Sequence, residues 1–324
     1  MKKNNFAISM GSNVTSIYKS GVGVVLSDKT ALVTALEGKK EVAVRVGQDA
    51  VTSGLEYRKV IENGHIDFSL AELLLSQFFK KIEVSRKDGV IFLVPFENMG
   101  LYNEYKNLAY SLGVNTVKIL PSIIATSYGF EIEKFRKSFL LVDIGVNTEI
   151  AVINNGRIIA GATVFNGGNN IDQKIAEYIY NEKGIELSRE SAEKVKNELA
   201  TLLPNDVRII TVDGFIKDTT EYASVTINST DIFNIFVEEY SDITSAILQV
   251  LSSVSNEANV DIKQHGVYLC GSSSKIAGIE KFFKVKLNLD SIVYKPDCVT
   301  MIGAGQLLDN PMDIERVVAE NSAM

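Results

Sequence analysis

One local pattern occurs twice in this chain, and it restricts the fold more than any single residue does. Near the start, short β-like runs alternate with turns at Phe6–Met10, Thr15–Lys19, Gly23–Ser27 and Thr30–Ala35, closed by Glu37-Gly38-Lys39-Lys40. This reads as an antiparallel meander. Near the middle the pattern restarts, with runs at Phe139–Ile144, Glu149–Ile153 and Ile158–Val164. Each meander leads into alternating helices and strands. After the first, the spacing predicts a helix from Ser69, whose hydroxyl is expected to cap its first turn. Strand Val90–Val94 is stopped by Pro95, helix Tyr102–Leu112 ends at Gly113, and strand Thr116–Leu120 runs into a helix opened by Pro121. After the second come helices Asn170–Glu182 and Ser188–Ala200, then β-like runs Val207–Val212 and Thr220–Ile227. A long helix from Asp231 to about Ser255 follows, then strand Gly266–Cys270, helix Lys275–Phe283, strand Ile292–Tyr294 and helix Thr300–Leu308. Alternation of this kind marks α/β lobes, and the restart predicts a duplicated architecture with a cleft between two lobes.

The length agrees, since 324 residues suit two lobes of roughly 150 residues each. We expect lobe I over 1–140, with a small insert at about 34–64. Lobe II is expected over 141–324, with an insert at about 185–230 and a final helix, 300–324, that returns to lobe I. Composition closes off several functions. A net charge of -7 repels nucleic acid and anionic lipid at long range. Two histidines, His65 and His265, argue against a multi-His metal site. The two cysteines, Cys270 and Cys298, are too few for a disulfide framework and read as small core residues in a reducing compartment. No apolar run reaches the roughly 18 residues needed to span a bilayer, and the opening Met1–Met10 has no signal-peptide core, so a cytoplasmic protein is expected.

Three loops carry chemistry. Met10-Gly11-Ser12-Asn13, between the first two strands, offers a hydroxyl and backbone N–H groups to a phosphate, or is simply a hairpin turn. Asp143-Ile144-Gly145-Val146-Asn147-Thr148 opens the second meander in the same way. Its Asp ends a buried strand, where it can hold Mg²⁺ through waters, and its alternative is again a turn formed by Asn147. Leu269-Cys270-Gly271-Ser272-Ser273 is a strand-to-helix turn whose glycine permits close approach of a nucleoside.

Together these residues resemble the MreB branch of the actin and heat-shock chaperone ATPase superfamily, across nearly the whole chain. Gly11, Ser12 and Asn13 stand at the family's first phosphate loop. Asp143 stands at its metal position, and Gly145, Val146 and Asn147 at the second phosphate loop. Phe165-Asn166-Gly167-Gly168-Asn169-Asn170-Ile171-Asp172 resembles the glycine pair beside the phosphates. Ser191-Ala192-Glu193-Lys194-Val195-Lys196 resembles the purine-ribose segment, Gly271-Ser272-Ser273 the adenosine loop, and Ile302-Gly303-Ala304-Gly305 the terminal Gly-x-Gly helix start. The resemblance implies a two-lobed actin-like α/β fold, with ribonuclease H-like cores on either side of a nucleotide cleft. It also implies ATP or ADP with Mg²⁺ as cofactors, with Glu193 and Lys196 three apart on one helix face reaching the ribose.

The departures from the family pattern concern the mechanism. Ser9 replaces an aspartate that helps position the metal, and Ser122 replaces the glutamate that polarises the attacking water. A single Thr148 stands where the family tends to have two threonines. Loss of a positioned base costs roughly 10²–10⁴ in rate, so weak or absent ATP hydrolysis is expected. The expected function is a filament-forming bacterial actin of the cytoskeleton, serving cell shape or motility. Its subunits would stack head to tail, with a paralogous bacterial actin as a further partner and no nucleic acid. Membrane contact is expected to be at most weak or indirect, at the inner face, because the loop Glu83–Gly89 offers only Val84. The alternatives are a small-molecule kinase of the same superfamily, for which Asp67 is the nominated base, and a non-polymerising assembly adaptor.

Overall fold

The computed structural model describes residues 4–62, 64–132, 137–165, 167–293 and 298–321. Met1, Asn166 and Tyr294, named above, lie outside the described residues. The chain divides into two compact units. One takes Met1–Lys137, Ile153–Ile158 and Cys298–Met324, and the other takes Ser138–Val152 and Ile159–Asp297.

The first unit is built on a five-stranded sheet in the order Thr116–Pro121, Gly89–Val94, Asn5–Met10, Val14–Lys19, Gly23–Lys29. Gly89–Val94 pairs in parallel on both sides and is buried throughout, which explains its unbroken apolar run Val90-Ile91-Phe92-Leu93-Val94. The meander holds for three strands, not four. Thr30 ends it: its backbone N–H donates to the Asn13 carbonyl at 3.0 Å, and its buried hydroxyl bonds that of Thr15 at 2.9 Å. The next strand, Ala31–Glu37, then turns into a separate three-stranded sheet with Lys40–Val46 and Arg58–Lys59.

Helix Phe68–Lys81 buries Leu70, Leu74, Leu75, Phe78 and Phe79 along one face. Its cap is Asp67 rather than Ser69, since Asp67 Oδ1 accepts from the Ser69 and Leu70 N–H groups at 2.9 and 3.0 Å. Helix Ser122–Gly129 crosses helix Val299–Asp309 at close range: a Cβ on Gly303 would overlap the Ala125 carbonyl, and one on Gly129 would overlap the Val299 carbonyl. The expected single helix 300–324 is two. Asn310 separates them, because Pro311 lacks the N–H that would continue the first, and the second runs Pro311–Asn321. That second helix holds the hairpin tip 153–158. Arg316 donates to the Asn155 carbonyl at 2.7 Å, and the fully buried Asn321 donates to that of Gly156 at 2.9 Å.

The second unit has its own five-stranded sheet, ordered Arg157–Val164, Thr148–Asn154, Ser138–Ile144, Val267–Cys270, Ser291–Val293. The last three are parallel. Against it pack helices Gly168–Lys183, Ser229–Ser253 and Ile279–Leu287, with a core that includes Leu140, Val142, Ile171, Ile175, Phe236, Ile243 and Phe283. A smaller antiparallel sheet, Ile185–Glu186, Ile209–Ile216 and Tyr222–Asn228, forms the insert beside helix Arg189–Leu199. The long helix stops at Ser253 because Ser255 caps a new one, Asn256–His265, through the Ala258 N–H at 3.2 Å. The helix expected at Lys275–Phe283 is a 3₁₀ turn, Ser272–Lys275, followed by Ile279–Leu287. Gly278 sits between them at φ 88°, where an L side chain would be strained.

Candidate functional site

The second unit gathers its candidate residues at the end of strand Ser138–Ile144. Burial of Leu140, Leu141 and Val142 fixes the strand, and its end places Asp143 in register beside Cys270 of the neighbouring parallel strand. Asp143 is half-buried, and burial pushes its carboxyl up to about 6 while a hydrogen bond from the Cys270 thiol opposes that rise. The fully buried Cys270 thiol is pushed up in turn, by burial first and then by the Asp143 charge.

From Ile144 the chain turns through Gly145-Val146-Asn147, with the Gly145 N–H bonded to the Asn147 carbonyl at 3.1 Å, and re-enters the sheet at the buried Thr148. The glycine pair then meets this turn. Gly168 N–H donates to the Gly145 carbonyl at 3.2 Å, and a Cβ on Gly167 would overlap the carbonyl oxygens of Val146 and Gly145. Gly167 is extended at φ -168°, so space rather than conformation requires glycine there. Helix Gly168–Lys183 starts at this point with no side chain capping it, which leaves the positive end of its dipole for an anion.

The turn after Cys270 closes over the carboxylate. Gly271 has φ 86°, and a Cβ there would strike Asp143 Oδ1 and the Ile144 carbonyl. Ser274 secures the turn through the Gly271 carbonyl, and Tyr240 Oη donates to the Ser273 carbonyl at 2.5 Å. Ser273 Oγ lies 3.8 Å from the position of a Gly168 Cβ, and Lys196 Nζ lies 3.2 Å from it. Segments 143–148, 167–172, 196 and 271–273 therefore converge on one spot. The glycine-lined cradle fits phosphates, and the half-buried carboxylate fits a hydrated divalent cation. Among the described residues no group of three or more His, Cys, Asp or Glu side chains is arranged to hold a metal, so such a cation would rest on Asp143 and on ligand oxygens.

Lys196 is already engaged. It donates to the Gly168 carbonyl at 3.0 Å and to Asp172 Oδ2 at 2.8 Å, while Glu193, one turn earlier on the same helix, is exposed. Asp172 is 5% exposed, and burial raises its carboxyl despite the lysine. On the other side of the helix start, the buried Glu239 accepts from Asn170 at 2.8 Å and pairs with Lys174. Asp172, Tyr240 and Glu239 were missed in the sequence. Asp172 carried a signal, standing one helical turn after Gly168, whereas nothing local distinguishes Tyr240 or Glu239.

In the first unit, the loop Gly11-Ser12-Asn13 is tied by the Gly11 N–H to the Val14 carbonyl at 2.9 Å and by Lys29 Nζ to Asn13 Oδ1 at 2.9 Å. Ser9 is half-buried on strand Asn5–Met10. Ser122 begins helix Ser122–Gly129, and its carbonyl accepts from Thr126 Oγ1 at 3.0 Å. Asp67, as a helix cap, is committed to backbone N–H groups.

The family model described as MreB/Mbl protein matches residues 3–316. The cell shape-determining protein Mbl of Bacillus subtilis (strain 168) is 27% identical, over 96% of this chain and 97% of its own. The cell shape-determining protein MreB of Escherichia coli (strain K12) is 25% identical, over 94% and 92%. Among solved structures, MreB5 of Spiroplasma citri bound to ADP superposes with a TM-score of 0.88 at 22% identity, covering 98% of each chain. The MamK double helical filament follows with a TM-score of 0.79 at 18% identity, covering 95% of this chain and 99% of that one.

Proposed function

The chain belongs to the MreB/Mbl family, and on that premise we propose that it is a nucleotide-binding, filament-forming bacterial actin with slow or absent ATP hydrolysis. The observation that carries the reading is the glycine-lined convergence of the Asp143–Thr148 loop, the uncapped start of helix Gly168–Lys183 and the Gly271–Ser273 turn. In this reading the Gly145-Val146-Asn147 loop and the helix start at Gly167-Gly168 lie against the phosphates, with the Gly145 and Gly168 N–H groups bonded within the protein and holding the two segments together. Gly271, Ser272 and Ser273 pack on the nucleoside, with Glu193 placed for the ribose hydroxyls. Gly11, Ser12 and Asn13 serve as the other phosphate loop. Asp143 is the carboxylate that would hold Mg²⁺, which when bound would supply charge neutralisation of the phosphates.

Hydrolysis is slow in this reading because positions 9 and 122 carry hydroxyls where a carboxylate would accept a proton or order a water. Thr148 is the remaining hydroxyl at the second loop. Head-to-tail stacking is supported by the likeness to a protein solved as a filament, and a role in cell shape by the names of the Bacillus and Escherichia relatives. Motility is the alternative role, and a paralogous actin the proposed second partner. No helix among the described residues is long and apolar enough to cross a membrane, so any place at the membrane's inner face would be peripheral. The kinase alternative loses its nominated base, because Asp67 caps a helix.

High-speed sedimentation without nucleotide, with Mg-ATP and with Mg-ADP tests the proposal, with phosphate release followed in parallel. Nucleotide-dependent pelleting with little phosphate release is the expected result. Protein that stays in the supernatant in all three, and retains no nucleotide on dialysis, overturns it.

A further inference from the structure

We infer that Glu239 and Tyr240, consecutive on the long helix Ser229–Ser253, are positioning residues that hold the phosphate-facing and nucleoside-facing parts of the site at a fixed separation. The inference rests on the nucleotide-binding reading and goes beyond it by assigning the spacing of that site to two side chains buried behind it.

Neighbouring residues of an α-helix point about 100° apart, so a pair of them can reach two different segments. Glu239 and Tyr240 are each 1% exposed, and a polar group buried to that extent needs a partner. Glu239 turns to helix Gly168–Lys183, where its Oε1 accepts from Asn170 Nδ2 at 2.8 Å and pairs with Lys174 Nζ at 2.5 Å. Its Oε2 is buried with no hydrogen-bond partner among the described residues, so the two donors on Oε1 hold the carboxylate. Lys174 balances its charge, which keeps a carboxylate beside the phosphate-facing helix start from repelling an anion there. Tyr240 turns to the strand-to-helix turn, and its Oη donates to the Ser273 carbonyl at 2.5 Å. A phenylalanine would fill the same core position, so what the hydroxyl adds is the bond to the turn.

The two segments held in this way are the two ends of the proposed ligand's bed. Asn170 is two residues past Gly168, in the first turn of the helix whose positive end faces the phosphates. Ser273 ends the Gly271–Ser273 turn, which packs on the nucleoside. The segments come close where Ser273 Oγ lies 3.8 Å from the position of a Gly168 Cβ. A nucleoside diphosphate spans a limited distance from base to phosphates, so it gains from both segments at once only when the protein presents them at the matching separation. Helix Ser229–Ser253 supplies a rigid reference for that separation, because its face with Ile232, Phe236, Ile243 and Ile247 is buried in the core of the second unit.

Affinities of the full chain for Mg-ADP and for Mg-pyrophosphate, which lacks the nucleoside, separate the two arms. Tyr240→Phe keeps the ring in the core and removes only the hydroxyl. It is expected to weaken Mg-ADP by about tenfold and leave Mg-pyrophosphate at its wild-type affinity. Asn170→Ala, which leaves Glu239 paired with Lys174, is expected to weaken both ligands by the same factor. Hydrogen exchange supplies a readout that needs no ligand. The Ser274 N–H, bonded to the Gly271 carbonyl at 3.1 Å, should exchange about tenfold faster in Tyr240→Phe and at the wild-type rate in Asn170→Ala. A Tyr240→Phe protein that binds Mg-ADP as tightly as wild type, or that loses Mg-pyrophosphate in the same proportion, overturns the inference. Exchange at Ser274 that is unchanged, or that rises equally throughout the second unit, overturns it as well. If the wild-type protein binds neither ligand, the nucleotide reading itself falls, and the inference with it.

Discussion

Asp143 offers the sharpest test of the site, because the same burial that suits it to a cation makes it a cost without one. Its carboxyl rises from the ordinary 3.8 to about 6 through burial. The folded state thus binds this proton more tightly than the unfolded chain does, so stability falls as pH rises from about 4 to above 6, and the loss is complete by neutral pH. At about 1.4 kcal/mol per tenfold change in acidity, the loss is at most about 3 kcal/mol, and less to the extent that the half-buried carboxylate still reaches water. Asp143→Asn removes the charge, and its amide oxygen can still accept from the Cys270 thiol. In EDTA without nucleotide, the variant is expected to be the more stable protein at pH 7.5 by up to about 3 kcal/mol, with the gap shrinking to about half at pH 5. The chain has no Trp and 12 Tyr, so urea unfolding is best followed by circular dichroism and tyrosine fluorescence. Adding Mg-ADP should then reverse the order, stabilising the wild type and leaving the variant unmoved. An Asn variant less stable than wild type at pH 7.5 in EDTA, or a gap that ignores pH, would refute the reasoning.

The remaining predictions address the other parts of the fold and site. Gly271→Ala forces a Cβ against Asp143 Oδ1 at a φ of 86° and should cost more than about 2 kcal/mol in urea unfolding, together with nucleotide binding. Gly303→Ala should cost at least about 3 kcal/mol by the same measurement, because its Cβ meets the backbone of Ala125, which cannot rotate away. Asp67→Ala should lose about 1 kcal/mol in urea unfolding through the two released N–H groups and leave nucleotide binding untouched. Ser122→Glu should raise phosphate release by about 10²-fold or more if the glutamate's absence is what limits hydrolysis.

Much of the architecture was legible because it is carried by local signals. The strand expected at Val90–Val94 is found as Gly89–Val94, and the helix expected at Ser188–Ala200 is found as Arg189–Leu199 with Ser188 as its cap. Errors arose where a boundary depends on a hydrogen bond rather than on periodicity. Asp67 and Ser69 are both capping residue types two positions apart, and only the backbone geometry selects Asp67. Ser255 looks like the end of one long helix and is the start of the next. Thr30 ends the first meander through the Asn13 carbonyl and the Thr15 hydroxyl, neither of which a strand pattern reveals.

The site divides along the same line. Loop positions such as Asp143, Gly145 and Gly271 could be nominated because turn chemistry and strand ends are written in consecutive residues. The tertiary partners were not, and they change the meaning of what was found. Glu193 and Lys196 share a helix face, and sequence spacing alone treats them as a pair with one task. The packing treats them differently, because Asp172 approaches from another helix and pairs with the ammonium, while Glu193 stays exposed. The glycines show the same effect. Gly167 and Gly303 both read as glycines of a nucleotide motif, and each proves to be required by the absence of room: Gly167 against the second loop, Gly303 against the helix that begins at Ser122. A glycine that admits a neighbour's backbone is a packing requirement first, and it serves a ligand only where an unfilled donor stands beside it. Gly167 meets that condition, since the helix it opens has no cap. Gly303 sits within a helix against another helix, so its substitution should unfold the first unit before it tells anything about nucleotide.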